Sequence, residues 1–294
     1  MPGHPGRIHP PLDPPRTGLR RGQGLVPLTP TDIVASQNWF CVVSPSLDGA
    51  SNMRIDRRLQ HFTERSRRPV TLVRFYGWRE PTVSLGCHQT PELAFAKDYC
   101  QAHGIPWVRR PTGGRAVFHH DELTYMVTSN DRRHFPLRSV RRIHGRISSA
   151  LRTGLSRLGI HPAAAPGDSL LDRDLSRAQK PCFVAPSRHE LVHGARKMVG
   201  SAQKKTKRSF LQHGSIPLVI HYDLMAAALG VDAEFLRSKT IGVSEAAGRP
   251  VSFDDLSQAL IRGFQKVFGI RFQETIDDSR EWSLGIASGQ AVVL

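Results

Sequence analysis

Cysteine and long apolar runs are both scarce in this sequence. The chain has four cysteines among 294 residues, far apart and without a C-x-x-C pair, so neither a zinc site nor a disulfide framework is indicated. No apolar run approaches the about 18 residues that span a bilayer, and the first residues lack the apolar core of a secretory signal. These absences predict a cytoplasmic protein without a membrane-spanning segment.

Acidic residues are also few relative to basic ones. The chain has 41 Lys and Arg residues against 25 Asp and Glu residues, a formal charge of +16. Such an excess attracts acidic partners: nucleic acid, anionic membrane surfaces or acidic proteins. The basic residues are dispersed, and no helix-turn-helix, zinc-finger or aromatic RNA-binding signature accompanies them. Nucleic-acid binding is therefore a minor alternative.

Composition and patterning predict one large α+β domain. Hydrophobic residues make up 39% of the chain, which suffices for a globular core. Residues 1–29 are rich in Pro, Gly and Arg and predict a disordered basic tail, followed by a catalytic domain at 30–275 and a C-terminal tail at 276–294. Strands are predicted at 70–76, 82–86, 107–110, 115–119, 123–128 and 209–220, a hairpin at 190–199, and helices at 90–104, 137–158 and 253–268. Their mixed order predicts helices flanking a mixed, largely antiparallel sheet.

A pair of glycines separates two predicted strands, within the run RRPTGGRAVFH at 109–119. Gly113 and Gly114 permit positive φ and a close approach of a ligand to the backbone. Exposed N–H groups there, flanked by Arg110 and Arg115, could hold a phosphate or a pantetheine-like tail. An ordinary hairpin turn beside a basic surface explains the same residues.

Cys182 and Lys197 form a second candidate pair. A free thiol has a pKa of about 8.5 and is mostly protonated at neutral pH, whereas a nearby ammonium group lowers that pKa. The predicted hairpin could fold Lys197 back toward Cys182. Composition alone favours a buried, inert thiol instead. Cys87, beside His88, is the competing nucleophile.

The basic run at 204–208, KKTKR, lies between two predicted strands. It could dock an acidic carrier protein through its concentrated positive charge. It could equally be a solvated loop, and the sequence alone leaves both interpretations open.

Taken together, the ordered motifs resemble the lipoate/biotin protein ligase superfamily. The glycine run and the ELTY segment at 122–125 are similar to octanoyltransferases of the LipM type within that superfamily. The resemblance covers roughly 37–270 and continues in order through NMRID at 52–56, RFYGW at 74–78, PTVSLG at 81–86, CFVAPS at 182–187, KMVGSAQ at 197–203 and LQHGSI at 211–216.

The resemblance implies a mechanism and a set of site residues. It implies that Cys182 carries octanoate as a thioester and that Lys197 lies beside it. Substrate-binding positions are implied for the residues around the two glycine motifs: Arg110, Gly113, Gly114, Arg115, His119, Gly200, Ser201 and Ala202. The donor would be octanoyl-acyl carrier protein, and the acceptor the glycine-cleavage H protein or the lipoyl domain of a 2-oxoacid dehydrogenase. No cofactor and no metal ion are implied.

Three departures and one alternative accompany the resemblance. Relatives carry an acidic residue where this chain has Arg57, His120 is an extra histidine beside His119, and the basic N-terminal tail has no counterpart. The alternative is an ATP-dependent lipoate-protein ligase. Such ligases have a third glycine in place of Arg115 and need no nucleophilic thiol, so Arg115 together with Cys182 favours the transferase.

Overall fold

An eight-stranded mixed sheet forms the centre of the fold. The computed structural model describes residues 38–165 and 190–273, together with the backbone of three strands nearer the C-terminus. The sheet strands, in spatial order, are β11 (Thr275–Asp277), β1 (Trp39–Val43), β2 (Thr71–Tyr76), β6 (Glu122–Ser129), β10 (Phe210–Pro217), β9 (Arg196–Lys205), β8 (Leu191–His193) and β7 (Ala163–Ala164). β1 pairs in parallel with β2 and β11, and the other ladders described in this sheet are antiparallel. The predicted mixed, largely antiparallel sheet is confirmed.

A smaller sheet lies beside the first. It contains β4 (Trp107–Arg109), β3 (Thr82–Leu85) and β5 (Val117–His119), with β3 in the middle. The two strands predicted on either side of Pro81 are both present, but they enter different sheets. The reason is that β2 pairs with β1 and β6, whereas β3 pairs with β4 and β5. A separate hairpin joins β12 (Ser283–Ile286) and β13 (Gln290–Val293).

Three long helices and five short ones flank the sheets in the described part of the chain. The long helices are α1 (Gly49–Arg65), α4 (Val140–Ser156) and α8 (Phe253–Phe268); the short ones are α2 (Pro91–Ala94), α3 (Lys97–Ala102), α5 (Tyr222–Leu229), α6 (Ala233–Lys239) and α7 (Val243–Ala247). None of the helices described has both the length and the apolar character that crossing a bilayer demands.

The side chains of β2 alternate between two hydrophobic clusters, one on each face of the sheet. Successive strand residues point to opposite faces. Phe75 accordingly joins the cluster under α4 and α8, whereas Tyr76 joins the cluster under α1. The α4–α8 side is mainly aliphatic and aromatic, whereas Arg74, between Phe75 and Val73, points to the side of α1, where it pairs with Asp56.

Helix α8 forms where its sequence predicts it. The Ser252 side chain accepts a hydrogen bond from the backbone N–H of Asp255, and the Asp255 carboxylate accepts one from the backbone N–H of Ser252. This capping box satisfies two N–H groups at the start of the helix. Gly269, at φ 62°, ends the helix in the left-handed conformation, as a glycine after a periodic run predicts.

Some helical predictions need correction. The single helix predicted at 90–104 is two short helices, because Phe95 adopts an extended conformation between them and is buried. Val140 shares the apolar spacing of Ile143 and Ile147, which predicts an inward-facing side chain, but it is 50% exposed at the first position of α4. Helices α5, α6 and α7 were not predicted, because segments of five to eight residues are too short for helical periodicity to emerge.

Candidate functional site

A cavity lies between the α1 side of the large sheet and the smaller sheet. It contains about 460 Å³ of space, part of it open to solvent. Six of the residues proposed from the sequence line it: Arg110, His119, Lys197, Gly200, Ser201 and Ala202. These residues are up to 92 positions apart, and they meet because β5 and β9 both border the cavity.

Aromatic and apolar side chains form one wall of the cavity. Met53, Tyr76, Trp78 and Val117 contribute to it. The Trp78 indole stacks on the ring of His119, with 4.0 Å between centroids, and its Nε1 donates a hydrogen bond to Thr124 Oγ1 at 2.9 Å. The indole N–H is therefore satisfied, and His119 covers one face of the ring.

The glycine loop is held in shape by Arg110. The buried guanidinium donates to the backbone carbonyls of Ser84 (2.9 Å), Gly113 (2.9 Å) and Arg115 (2.7 Å). Arg110 therefore positions the loop as well as lining the cavity. Gly114 has φ 94°, in the left-handed region where side chains are strained, and a Cβ there would lie 4.0 Å from that of Ala202.

The end of β3 passes unusually close to this loop. A Cβ built on Gly86 would lie 2.0 Å from the carbonyl oxygen of Gly114, a separation that no real side chain tolerates. The backbone N–H of Cys87 donates to the Thr112 carbonyl at 2.9 Å. The glycine loop can therefore adopt this position only because residue 86 has no side chain.

Lys197 is buried in the cavity wall beside a carboxylate. Its Nζ lies 2.8 Å from Glu190 Oε2, and the two side chains are 1% and 2% exposed. Glu190 Oε1 also accepts from the backbone N–H of Ser201 at 3.3 Å. Glu190 thus links two of the residues proposed for the site. Sequence reasoning missed it, although an acidic residue at the start of a hairpin that is otherwise apolar or basic was a possible signal.

The hydroxyl of Ser201 continues this polar wall. Ser201 Oγ lies 2.7 Å from the phenol oxygen of Tyr125, which also accepts from Gln212 Nε2 at 2.8 Å. Burial raises the pKa of Tyr125 to about 12, outweighing the bonds from Ser201 and Gln212. The phenol is consequently neutral at physiological pH and serves as a fixed hydrogen-bonding group.

A second buried polar cluster surrounds Glu122. His119 Nδ1 lies 2.9 Å from Glu122 Oε1, and His119 Nε2 lies 2.7 Å from Ser84 Oγ. The hydroxyls of Thr124 and Ser215 donate to the same carboxylate. Burial opposes ionisation of Glu122, but His119 and the two hydroxyls together hold the pKa of this carboxyl below its usual value. The cluster fixes the His119 ring in the cavity wall.

A third cluster connects α1 to the glycine loop. Asp56 pairs with Arg74 at 3.0 Å, and its other oxygen lies 3.2 Å from His213 Nδ1. His213 Nε2 in turn lies 2.7 Å from Thr112 Oγ1. Burial lowers the pKa of His213, although Asp56 favours its protonated form. Burial raises the pKa of Asp56, but His213, Arg74 and Tyr76 outweigh it and hold that pKa below its usual value.

The structure also describes the surroundings of two arginine side chains, Arg57 and Arg115. Arg57 donates from Nη2 to the Arg109 carbonyl at 2.8 Å. Nη1 of Arg115 is buried and makes no hydrogen bond within the part of the chain that the structure describes. Cys182 and the 166–181 loop lie outside the described residues.

The fold matches solved structures of lipoate protein ligases. A lipoate-protein ligase A bound with ATP superposes with a TM-score of 0.64, at 24% identity, over 83% of this chain and 90% of the other. A bipartite lipoate protein ligase from Thermoplasma acidophilum gives 0.63, at 23% identity, over 82% and 88%. The described domain is therefore an α+β module with the lipoate-ligase fold.

Sequence comparison places the chain more closely. The model of the lipoyl protein ligase A/B catalytic domain family matches residues 48–265, and the chain belongs to that family. The octanoyltransferase LipM of Symbiobacterium thermophilum is 39% identical over 79% of this chain and 87% of its own length. The LipM of Geobacillus kaustophilus is 34% identical over 81% and 88%. The expected resemblance to acyltransferases of the LipM type is confirmed, and these matches lend nucleic-acid binding no support.

Proposed function

We propose that this chain transfers octanoyl from octanoyl-acyl carrier protein to a lysine of a lipoyl-accepting protein, through a thioester on Cys182. The observation that carries the proposal is the cavity wall in which buried Lys197 and Gly200–Ser201–Ala202 lie together on β9. The glycine-cleavage H protein or a 2-oxoacid dehydrogenase lipoyl domain is the proposed acceptor, and a cytoplasmic location stays a prediction.

The first half-reaction forms the acyl-enzyme. The Cys182 thiolate attacks the thioester carbonyl of the donor, and the tetrahedral intermediate expels the pantetheine thiolate, which takes up a proton. Backbone N–H groups bordering the cavity stabilise the oxyanion. The Lys197 ammonium, fixed in position by Glu190, provides the positive charge that favours the Cys182 thiolate.

The second half-reaction forms the amide. The neutral ε-amine of the acceptor lysine attacks the Cys182 thioester, the C–S bond breaks, and the nitrogen loses its extra proton. In this scheme Lys197 relays protons between the leaving and attacking groups. The thioester supplies the driving force, so neither ATP nor another cofactor enters the scheme.

The cavity features suit an octanoyl chain. The face of Trp78 and the side chains of Met53 and Val117 offer apolar contact, while the polar groups of Ser201 and His119 lie among the same lining residues. The positions of Arg110, His119, Gly200, Ser201 and Ala202 around the cavity support their proposed role as substrate-binding residues. Gly113, Gly114 and Arg115 are proposed as substrate-binding residues from the sequence resemblance alone.

The test is the intact mass of the protein after mixing with octanoyl-carrier protein in the absence of ATP. One octanoyl adduct, removed by hydroxylamine, is expected on the unmodified chain and on a Cys87→Ser control, and none on Cys182→Ala. An adduct that persists in Cys182→Ala would contradict the assignment of the nucleophile. Acyl transfer that requires ATP and free octanoate, with no adduct, would move the chain to the lipoate-protein ligase alternative.

A further inference from the structure

Three potential metal ligands lie together at the turn between β5 and β6. His120 and Asp121 belong to this turn, and His221 precedes α5. Asp121 Oδ2 lies 2.6 Å from His221 Nε2 and 3.9 Å from His120 Nε2, and one ligand atom from each residue falls within 4.8 Å of the others. We propose that these three side chains bind a divalent transition-metal ion of the Zn²⁺ type.

The separations fit such an ion after small movements. Zn–N and Zn–O bonds of about 2.0–2.2 Å around a tetrahedral centre place neighbouring ligand atoms about 3.3–3.5 Å apart. The two measured separations lie on either side of this range. The side chains of His120, Asp121 and His221 are 28%, 53% and 41% exposed, so they are free to rotate and bring their ligand atoms to bonding distance of one ion.

Backbone hydrogen bonds hold the two contributing segments together independently of the side chains. The carbonyl of Asp121 accepts from the N–H groups of Leu218 (2.9 Å) and Val219 (3.2 Å). His221 follows two residues later, so its position relative to the turn is fixed by the main chain. The ligands therefore come from distant parts of the sequence but from one rigid piece of structure, which lowers the cost of ordering them around an ion.

The ligand set selects the class of ion. Two imidazoles and one carboxylate suit Zn²⁺, Co²⁺, Ni²⁺ or Cu²⁺, whereas Mg²⁺ and Ca²⁺ prefer oxygen ligands. Three protein ligands leave one position open for water or an added anion. In the absence of metal, the contact between His221 and Asp121 is a hydrogen bond whose proton the ion would displace.

The proposed metal site shares no residue with the lining of the acyl cavity. His119 lines that cavity. The His120 ring instead lies 6.3 Å from that of Phe118 and 4.5 Å from that of His221, between ring centroids, and none of these three residues lines the cavity. Metal binding here does not require any residue of the proposed transfer chemistry.

The experiment titrates metal-depleted, full-length protein with Co²⁺, followed by its visible absorption, and with Zn²⁺, followed by calorimetry. The unmodified chain is expected to bind one more equivalent than His120→Ala/His221→Ala. Asp121→Asn, which keeps a residue that tolerates the positive φ of 44°, is expected to bind the ion about 10- to 100-fold more weakly. His61→Ala, an exposed histidine of α1, serves as the matched control and is expected to bind as the unmodified chain does.

The comparison between variants decides the outcome, because histidines and thiols elsewhere in the chain also bind metals. Equal stoichiometry and affinity in the unmodified chain and in His120→Ala/His221→Ala would overturn the proposal. An equal response to Mg²⁺ and Zn²⁺ would overturn the assigned class of ion. Melting temperature gives a second readout: Zn²⁺ should raise it in the unmodified chain and in His61→Ala, and less in the double variant.

Discussion

The ammonium nitrogen of Lys197 lies 2.8 Å from a carboxylate oxygen of Glu190, and both side chains are nearly inaccessible to solvent. A buried ion pair is costly to break from one side, because the remaining charge is left without a partner. The Glu190 carboxylate also accepts from the backbone N–H of Ser201, so it holds two residues of β9, the proposed catalytic lysine and Ser201. Loss of Lys197 therefore affects both stability and the proposed chemistry, and experiments need to separate the two.

Replacing both Lys197 and Glu190 separates the effect on stability from the effect on the chemistry. Lys197→Met is expected to lower the free energy of unfolding by about 3–5 kcal/mol, because Glu190 remains as a buried anion. Lys197→Met/Glu190→Gln is expected to recover most of this loss, since neither charge remains. Urea unfolding measures the stability, and the octanoyl adduct measures the chemistry.

The proposed role of Lys197 predicts that the stable double variant still forms the adduct slowly. Its alkylation by iodoacetamide at Cys182 should shift to higher pH than in the unmodified chain. A double variant that forms the adduct at the unmodified rate would remove Lys197 from the mechanism while leaving the structural pair intact.

Two glycine substitutions test the close approach at the glycine loop. Gly86→Ala places a Cβ 2.0 Å from the Gly114 carbonyl oxygen, whereas a Cβ at Gly113 meets no atom within 4 Å. Gly86→Ala is therefore expected to displace the loop, to cost about 1–3 kcal/mol of stability and to suppress the adduct. Gly113→Ala is the matched control and should fold with nearly unchanged melting temperature. Equal behaviour of the two variants would contradict the role assigned to position 86.

The buried His213 predicts a pH dependence of stability. Burial holds its pKa below the ordinary value, against the opposing influence of Asp56, while Arg110 and His119 add to the lowering. Between the folded pKa and the unfolded pKa of about 6.5, the unfolded chain binds more protons, so the free energy of unfolding rises with pH. Above that window the contribution is fully present, and it is lost as pH falls toward the folded pKa.

His213→Gln isolates this contribution. The difference in unfolding free energy between the unmodified chain and the variant should increase as the pH rises from the folded pKa to about 6.5, with a slope of at most about 1.4 kcal/mol per pH unit, and should be level above. Denaturant unfolding at fixed pH values gives the curve. A difference that is level across the whole range would show that His213 does not change its protonation on unfolding.

The cysteines should differ sharply in reactivity. Cys41 and Cys100 are buried, at 0% and 1% exposure; burial raises the pKa of Cys100 to about 11 and that of Cys41 further. Iodoacetamide at neutral pH is expected to leave both unmodified in the folded protein and to label Cys182 and the half-buried Cys87. Peptide mapping measures the labelling, and labelling of Cys41 at the rate of Cys87 would contradict the buried environment.

Local patterns predicted much of the fold because they act over short distances. The apolar spacing around Ile143 and Ile147 and the cap at Ser252 are properties of single helices, and both helices form where they were expected. The resemblance also nominated six residues that do line one cavity. The pairing of β2 and β3 with different partners depends on strands far along the chain, so the local turn signal at Pro81 could not reveal it.

The missed site residues share the same physical cause. Glu190 and His213 act through contacts set by sheet register, and the contact from His213 to Asp56 spans 157 positions. An isolated acid or histidine in a strand has no periodic partner from which such a contact could be inferred. Residues of this kind become visible once the strands are placed side by side.

The position of the cavity between the two sheets affects the rigidity of the protein. Ser84, Val117 and His119 reach it from the smaller sheet, and Tyr76, Thr124 and Ser215 reach it from the larger one. An octanoyl chain held there would touch both sheets at once and act as a temporary piece of hydrophobic core. The acylated intermediate would then be the most rigid species in the catalytic cycle. Transfer of the acyl group to the acceptor lysine would remove the contact between the two sheets and make the protein less rigid.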